Sequence, residues 1–298
     1  MRSRKYFVDP WLPRFFLRIA FITLVWIAPA LADGPDSNFL RIRYSPEGYP
    51  AALESSIAHY KARGVQVDLI SAVHVAEKKY FEDLNEAFKK YDAVLYELIA
   101  PDNLTVPPKD KRPENPVSQL QGIVKKLLAL EFQLDEINYS AKNFVHADLS
   151  PDAFMAALAG RGDSVWSLLA RLLLQDMAKS EEEHNPGKDI QILLSLLLSS
   201  DAERPYTLRR HLADNFSKID DLVAQMEGPN GSTIIADRNT KAIEVLRAEV
   251  KAGKKKLAIY YGAAHMPDME KRLVTEFGAV KAGTEWLVAW PLQSEKKG

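Results

Sequence analysis

Three residues equipped for acid–base or metal chemistry stand at corresponding places in the chain. His74 ends the apolar run Val67-Asp-Leu-Ile-Ser-Ala-Val-His74. Glu97 ends Asp92-Ala-Val-Leu-Tyr-Glu97, and His265 ends Leu257-Ala-Ile-Tyr-Tyr-Gly-Ala-Ala-His265. Each run reads as a buried strand, and both histidine runs lead into segments with apolar residues at helical spacing. In open parallel α/β sheets, functional side chains gather where strands end and helices begin. Two imidazoles and a carboxylate on such a rim suit two chemistries. They can hold a divalent metal with open positions, which would polarise a carbonyl and acidify a bound water. Without metal, a histidine can act as general base beside an orienting carboxylate. The structural alternative is a turn histidine bonded only to backbone, with Glu97 on the surface.

The elements that must position these residues follow from the pattern. Phe39 to Tyr44 alternates as a half-buried strand. Ala51 to Arg63 carries Leu53, Ile57 and Tyr60 at helical spacing and stops at Gly64, which predicts a helix. Strand Val65 to Ser71, a helix from about Glu77 to Lys90, and strand Asp92 to Glu97 form a βαβ unit, implying parallel strands. The proline-bearing stretch Pro101 to Pro116 reads as a loop or hinge. From about 115 to 230 the periodicity is helical, predicting a large all-α insertion or cap; Val117 to Phe132, Pro151 to Leu158 and Leu208 to Phe216 are among its segments. A long helix spans Thr233 to Lys251. Strand Leu257 to Tyr261, helix Pro267 to Phe277 and strand Glu285 to Trp290 complete the chain. The fold class expected is α/β: a mixed, largely parallel sheet flanked by helices, with a large all-α insertion as a cap. The two histidine segments also read as an internal repeat closing on Phe88 and Phe277.

Composition narrows the function. The chain has 298 residues and no cysteine, which removes disulfides, thiolate metal sites and a cysteine nucleophile. Residues 1–32 read as a secretory signal peptide: a basic start, the apolar stretch Ile19 to Ala28, and Ala30-Leu31-Ala32 before a cut ahead of Asp33. The expected location is therefore the periplasm or the exterior, and contact with a membrane would come only through an uncleaved leader. Residues 33–298 are expected to form a single domain. The leader holds five basic residues and one acidic, so the 39 basic and 40 acidic residues of the chain fall to 34 and 39 without it. Such a balance argues against a nucleic-acid partner. No phosphate-cradling glycine loop, no Gly-x-Ser-x-Gly elbow and no His-Glu-x-x-His is present.

With these residues in view, the chain resembles the TraB/GumN family, which includes the TIKI proteases. Its marks are Gly-x-x-His after a first strand, a glutamate ending the next, and a C-terminal Gly-x-x-His. Here they stand as Ser71-Ala-Val-His74, Tyr96-Glu97 and Gly262-Ala-Ala-His265. Ser71 replaces the first glycine, which puts the backbone before His74 in question. Asp237-Arg238-Asn239 fits the family's acidic–Arg–Asn/Asp cluster, with Arg238 neutralising a substrate anion or holding Glu97. The resemblance implies a metal-dependent, peptidase-like hydrolase acting on a peptide or small molecule. His74, Glu97 and His265 would be ligands to Zn, Mn or Co, Glu97 a ligand or general base, and Arg238 a catalytic support. ChaN-like proteins and erythromycin esterases share a similar core, so a haem, iron or small-ligand binding protein and a metal-free esterase are the alternatives. His146 and Asp148 are further candidates to reach the site from the cap, or else braces of a turn. His59, on the expected first helix, and His211 read as structural or solvated. Tyr260 and Tyr261 read mainly as core.

Overall fold

The computed structural model describes residues 38–101, 122, 125–160, 194–216 and 233–294. The expected leader at 1–32, most of the Pro101–Pro116 loop and the predicted helix at 165–183 lie outside these residues. Strands β1 (Leu40–Tyr44), β2 (Pro50–Ala62) and β3 (Val65–Ala72) open the fold, followed by the short β4 (Val75–Ala76), helix α1 (Lys78–Phe88) and β5 (Ala93–Tyr96). Next come β6 (Glu131–Phe132), the single turn α2 (Gln133–Glu136), β7 (Phe144–His146), α3 (Pro151–Gly160) and α4 (Arg204–Phe216). A π-helical turn, Thr233–Asp237, leads into α5 (Arg238–Lys251). Then β8 (Lys256–Gly262), a 3-10 turn (Ala263–His265), α6 (Met266–Phe277) and β9 (Val280–Pro291) close the domain. No described helix is long and apolar enough to cross a membrane.

The architecture is the expected α/β class: a mixed seven-stranded sheet with helices on both faces. The order β3-β8-β5-β7 is parallel throughout. On the other side of β3 the sheet turns antiparallel, where β2 pairs with β1, β3 and β9. Thus β3 and β5 are the parallel strands of a βαβ unit, and β8, from the far end of the sequence, is inserted between them. The helix α1 packs Tyr80, Phe81, Leu84 and Phe88 against Leu53, Ile57, Ile70, Val94 and Tyr260 on one face. On the opposite face α5 and α6 place Ile243, Leu246, Met269 and Leu273 against Leu69, Leu95, Ile259 and Tyr261. Each such apolar side chain contributes roughly 1.5–3 kcal/mol on burial, so the two layers fix the sheet from both sides.

Two expectations changed. The predicted helix from Ala51 to Arg63 is the strand β2. Leu53 and Ile57, four residues apart, share a face in a helix and also in a strand, where any even spacing does so. Tyr60 lies an odd step away, and it packs into the opposite layer. Gly64 is not a helix stop. Arg63 and Gly64 both have positive φ, 48° and 81°, forming a two-residue hairpin loop between Ala62 and Val65 of the kind whose twist matches paired strands. Within the stretch expected to be helical, Glu131–Phe132 pairs with Val75–Ala76 and Phe144–His146 joins the main sheet beside β5, while α3 and α4 are helices.

The exit of β3 is pinned by Tyr80. Its hydroxyl donates to the Ser71 carbonyl at 3.0 Å, lies 2.9 Å from Ser55 Oγ and accepts the Val73 N–H at 3.3 Å. Tyr80→Phe removes three contacts of one buried hydroxyl and should cost about 1–3 kcal/mol, read as a lower urea midpoint at unchanged slope.

Candidate functional site

The parallel strands deliver their C-terminal ends to one rim. Since β8 lies between β3 and β5, Gly262 falls between the residues that follow those neighbours. Its N–H donates to Glu97 Oε2 at 2.6 Å. A Cβ on Gly262 would stand 3.2 Å from His74 Nε2 and 3.3 Å from Glu97 Oε2. The two side chains therefore come together against the backbone of residue 262, an approach that its lack of a side chain permits. His265, on the turn after β8, puts its Nε2 3.5 Å from Glu97 Oε1. His74, Glu97 and His265 thus converge, as their places at strand ends implied.

Each imidazole is held by a side-chain amide. Gln133, at the start of α2, places Oε1 2.9 Å from His74 Nδ1, while its Nε2 donates to the Tyr139 hydroxyl at 2.7 Å and its backbone N–H donates to the His74 carbonyl at 2.8 Å. Asn239 places Oδ1 2.6 Å from His265 Nδ1. The orientation of that amide is dictated by two acceptors, because its Nδ2 donates to the His265 carbonyl and to Asp268 Oδ2. The amide oxygens accept from Nδ1 of each ring, which leaves Nε2 as the nitrogen turned to the site; that of His265 faces Arg238 Nη1.

Arg238, the first residue of α5, stands behind the carboxylate. Its Nη2 donates to Glu97 Oε1 at 2.7 Å and to Asp148 Oδ2 at 2.5 Å, and its Nε donates to Asp148 Oδ1 at 2.9 Å. Its Nη1 lies 3.4 Å from His265 Nε2. Asp148 is fully buried and also accepts the Leu149 N–H. Of the two roles expected of Arg238, the contact with Glu97 is the one this geometry displays, with Nε and Nη2 both spent on carboxylates. Burial pushes the Glu97 carboxyl up, but Arg238 first, then His265 and His74, outweigh it and hold Glu97 well below the usual carboxylate range. Arg238 is disfavoured by burial, yet Asp148 and Glu97 hold it firmly as a cation.

Of the two cap candidates, Asp148 reaches the site and His146 does not contact it through its Nε2, which donates to the Leu98 carbonyl at 2.6 Å. Gln133 carried no sequence signal, since its link to His74 spans 59 residues. Asp148, already a candidate from the sequence, follows the three-residue parallel strand Phe144–His146. Tyr261 is buried and donates to the Ala147 carbonyl at 2.5 Å. Tyr260 is core-facing, and its hydroxyl has no partner among the described residues.

The fit to a metal ion is mixed. Both Nε2 atoms are turned to the site, as ligands must be. Against this, each oxygen of Glu97 already accepts a short N–H bond, and the Arg238 cation lies against His265 Nε2, where a dication would meet like charge. Among the described residues no three His, Asp or Glu side chains form a ligand group. Comparison with family models, curated proteins and solved structures returned no match.

The depressed Glu97 has a definite pH consequence. Its contribution to stability is complete above the unfolded value near 4.5 and is lost as pH falls through its lower folded value. Glu97→Gln should therefore be less stable than the parent at pH 7, with the gap narrowing progressively once the pH drops below about 4.5. Urea unfolding at a series of pH values measures this, and a gap independent of pH would contradict the assignment.

Proposed function

We propose that this protein hydrolyses an ester or amide bond with water as the nucleophile and His74 as general base. The observation that carries this reading is the close approach of His74 Nε2 and Glu97 Oε2, both of which pack against the bare backbone of Gly262. In this scheme a water reaching the exposed edge of His74 donates one hydrogen to Nε2 and the other to the Glu97 carboxylate. As its oxygen attacks the carbonyl carbon, His74 takes the proton; on collapse of the tetrahedral intermediate, His74 returns it to the departing oxygen or nitrogen. Glu97, kept ionised by Arg238, stabilises the imidazolium formed between these steps. His265 is buried and acts through its neighbours, bracing Glu97 and Arg238. The family resemblance of the three motifs supports hydrolysis, and the expected leader supports work outside the cytoplasm on a peptide or small molecule.

Turnover of activated esters and of fluorogenic peptides tests the reading. His74→Ala should lower kcat by about 10²–10⁴-fold, the usual share of a general base, with the circular dichroism spectrum retained. Chelators should leave the rate unchanged. Inactivation by chelators with recovery on Zn, Mn or Co would instead favour the metal-assisted hydrolysis that the resemblance implies. At Gly262 the effect should be steric: Gly262→Ala presses on two side chains that Gln133 and Arg238 hold in place, and turnover should fall by about ten-fold or more with little loss of stability. Full activity in that variant would mean that this approach is not where reaction occurs.

A further inference from the structure

At the opposite end of the sheet lies a cavity of about 360 Å³ that the catalytic scheme does not use. It opens beside the first residues of the parallel strands, where Gln66 of β3 and Lys256 of β8 are register partners, far along those strands from His74 and His265. Its back wall is a buried carboxylate. Asp68 is 1% exposed and its oxygens are spent: Oδ2 accepts the Tyr91 hydroxyl at 2.8 Å, and both oxygens lie 3.0 Å from Gln66 Nε2. His59, opposite Asp68 across β2 and β3, has Nδ1 3.0 Å from Oδ2, close enough for attraction though too bent for a hydrogen bond, and its Nε2 lies on the other side of the ring.

Three ammonium groups line the same cavity, from Lys61, Lys90 and Lys256. Among the described residues none of them has a carboxylate within 4.0 Å. Lys256 only overlies the Tyr91 ring at 5.4 Å, and the nearby Asp92 spends one oxygen on the backbone N–H groups of Lys255 and Lys256. Three unpaired cations around one concavity repel one another and concentrate anions there. Lysines bind as point charges, which suits a compact tetrahedral anion, whereas a planar carboxylate is better met by an arginine fork, and the cavity has none. The opposing groups are two: the Asp68 carboxylate, whose oxygens are covered by Tyr91 and Gln66, and Glu285, 69% exposed, with Oε1 3.4 Å from His59 Nε2. We infer that this cavity is a second ligand site, separate from the hydrolytic rim, for a small soluble phosphate-type anion held by Lys61, Lys90, Lys256 and His59.

Titration of the full chain with inorganic phosphate at low ionic strength, followed by calorimetry, tests the inference. One saturable site in the millimolar range or tighter is expected. Lys90→Ala and Lys256→Ala should each weaken it by up to about five-fold, and the double variant by more. Glu285→Gln, which removes the more exposed of the two opposing charges, should tighten it by about three-fold. Lys90 and Glu285 are exposed and Lys256 is partly so, hence thermal melts should be nearly unchanged, and hydrolytic turnover should be too. His74→Ala should bind phosphate like the parent. Three results would each overturn the proposal: no saturable binding up to about 10 mM, binding indifferent to Lys90, Lys256 and Glu285, or binding abolished by His74→Ala.

Discussion

The site depends on one buried ion triad, Asp148–Arg238–Glu97. Taking three charges out of water costs several kcal/mol per ion, and mutual attraction repays this only when the geometry is good. Here it is: the planar guanidinium meets Asp148 side-on through Nε and Nη2 and reaches Glu97 with the same Nη2. The triad ties together three segments remote in sequence, the end of β5, the turn after β7 and the start of α5. Its chemical effect is one-directional. It holds the Glu97 carboxyl well below the usual carboxylate range, which suits the fixed negative charge that the proposed scheme asks of it.

The imidazoles are held differently, by neutral amides. A carboxylate against Nδ1 would orient a ring and also add charge to it; Gln133 and Asn239 orient without adding charge. The negative charge of the site is thereby concentrated on Glu97 and on the buried Asp148. The second tier continues outward from Asn239 to Asp268 and from there to Arg272, whose Nε donates to Asp268 Oδ2 at 2.6 Å. His265 is thus fixed by a chain of bonds that ends at the surface of α6. His74 is fixed by a shorter one through Gln133 to Tyr139. This difference matches their exposure: His265 is buried, and His74 is the partly exposed imidazole that a ligand can reach.

The sequence exposed the chemistry more readily than the scaffold around it. Strands β3, β5 and β8 were legible because both of their faces are covered, so they are continuous apolar runs, and the residue just past such a run carries the site. What local pattern could not separate was β2, where Leu53 and Ile57 satisfy helix and strand alike and pairing with three other strands decides the outcome. β7 escaped because three residues make no period. Gln133 could not be assigned from the sequence, since its partner lies 59 residues away, and Asp148 stood only as a candidate, because its partner Arg238 lies 90 residues away and the folded sheet brings them together.

Topology also explains why the two histidine motifs are unequal. Ser71 and Tyr261 are register partners, as are Ala72 and Gly262, so the two runs lie side by side with their histidines just beyond. But β8 is central in the parallel half, with β3 on one side and β5 on the other, and its last residue is flanked by His74 and Glu97 at once. A side chain there would press on both. β3 has β8 on one side only; its other neighbour is the antiparallel β2, which brings no site residue. Ser71 accordingly turns its hydroxyl to Ser56 of β2 at 3.2 Å and is buried without strain, since the only non-glycine residues of positive φ among those described are Arg63 and Ala129. A glycine is therefore needed for space at 262 and is dispensable at 71. The departure from the motif at Ser71 leaves His74 in place, and the position that cannot change is the one in the middle of the sheet.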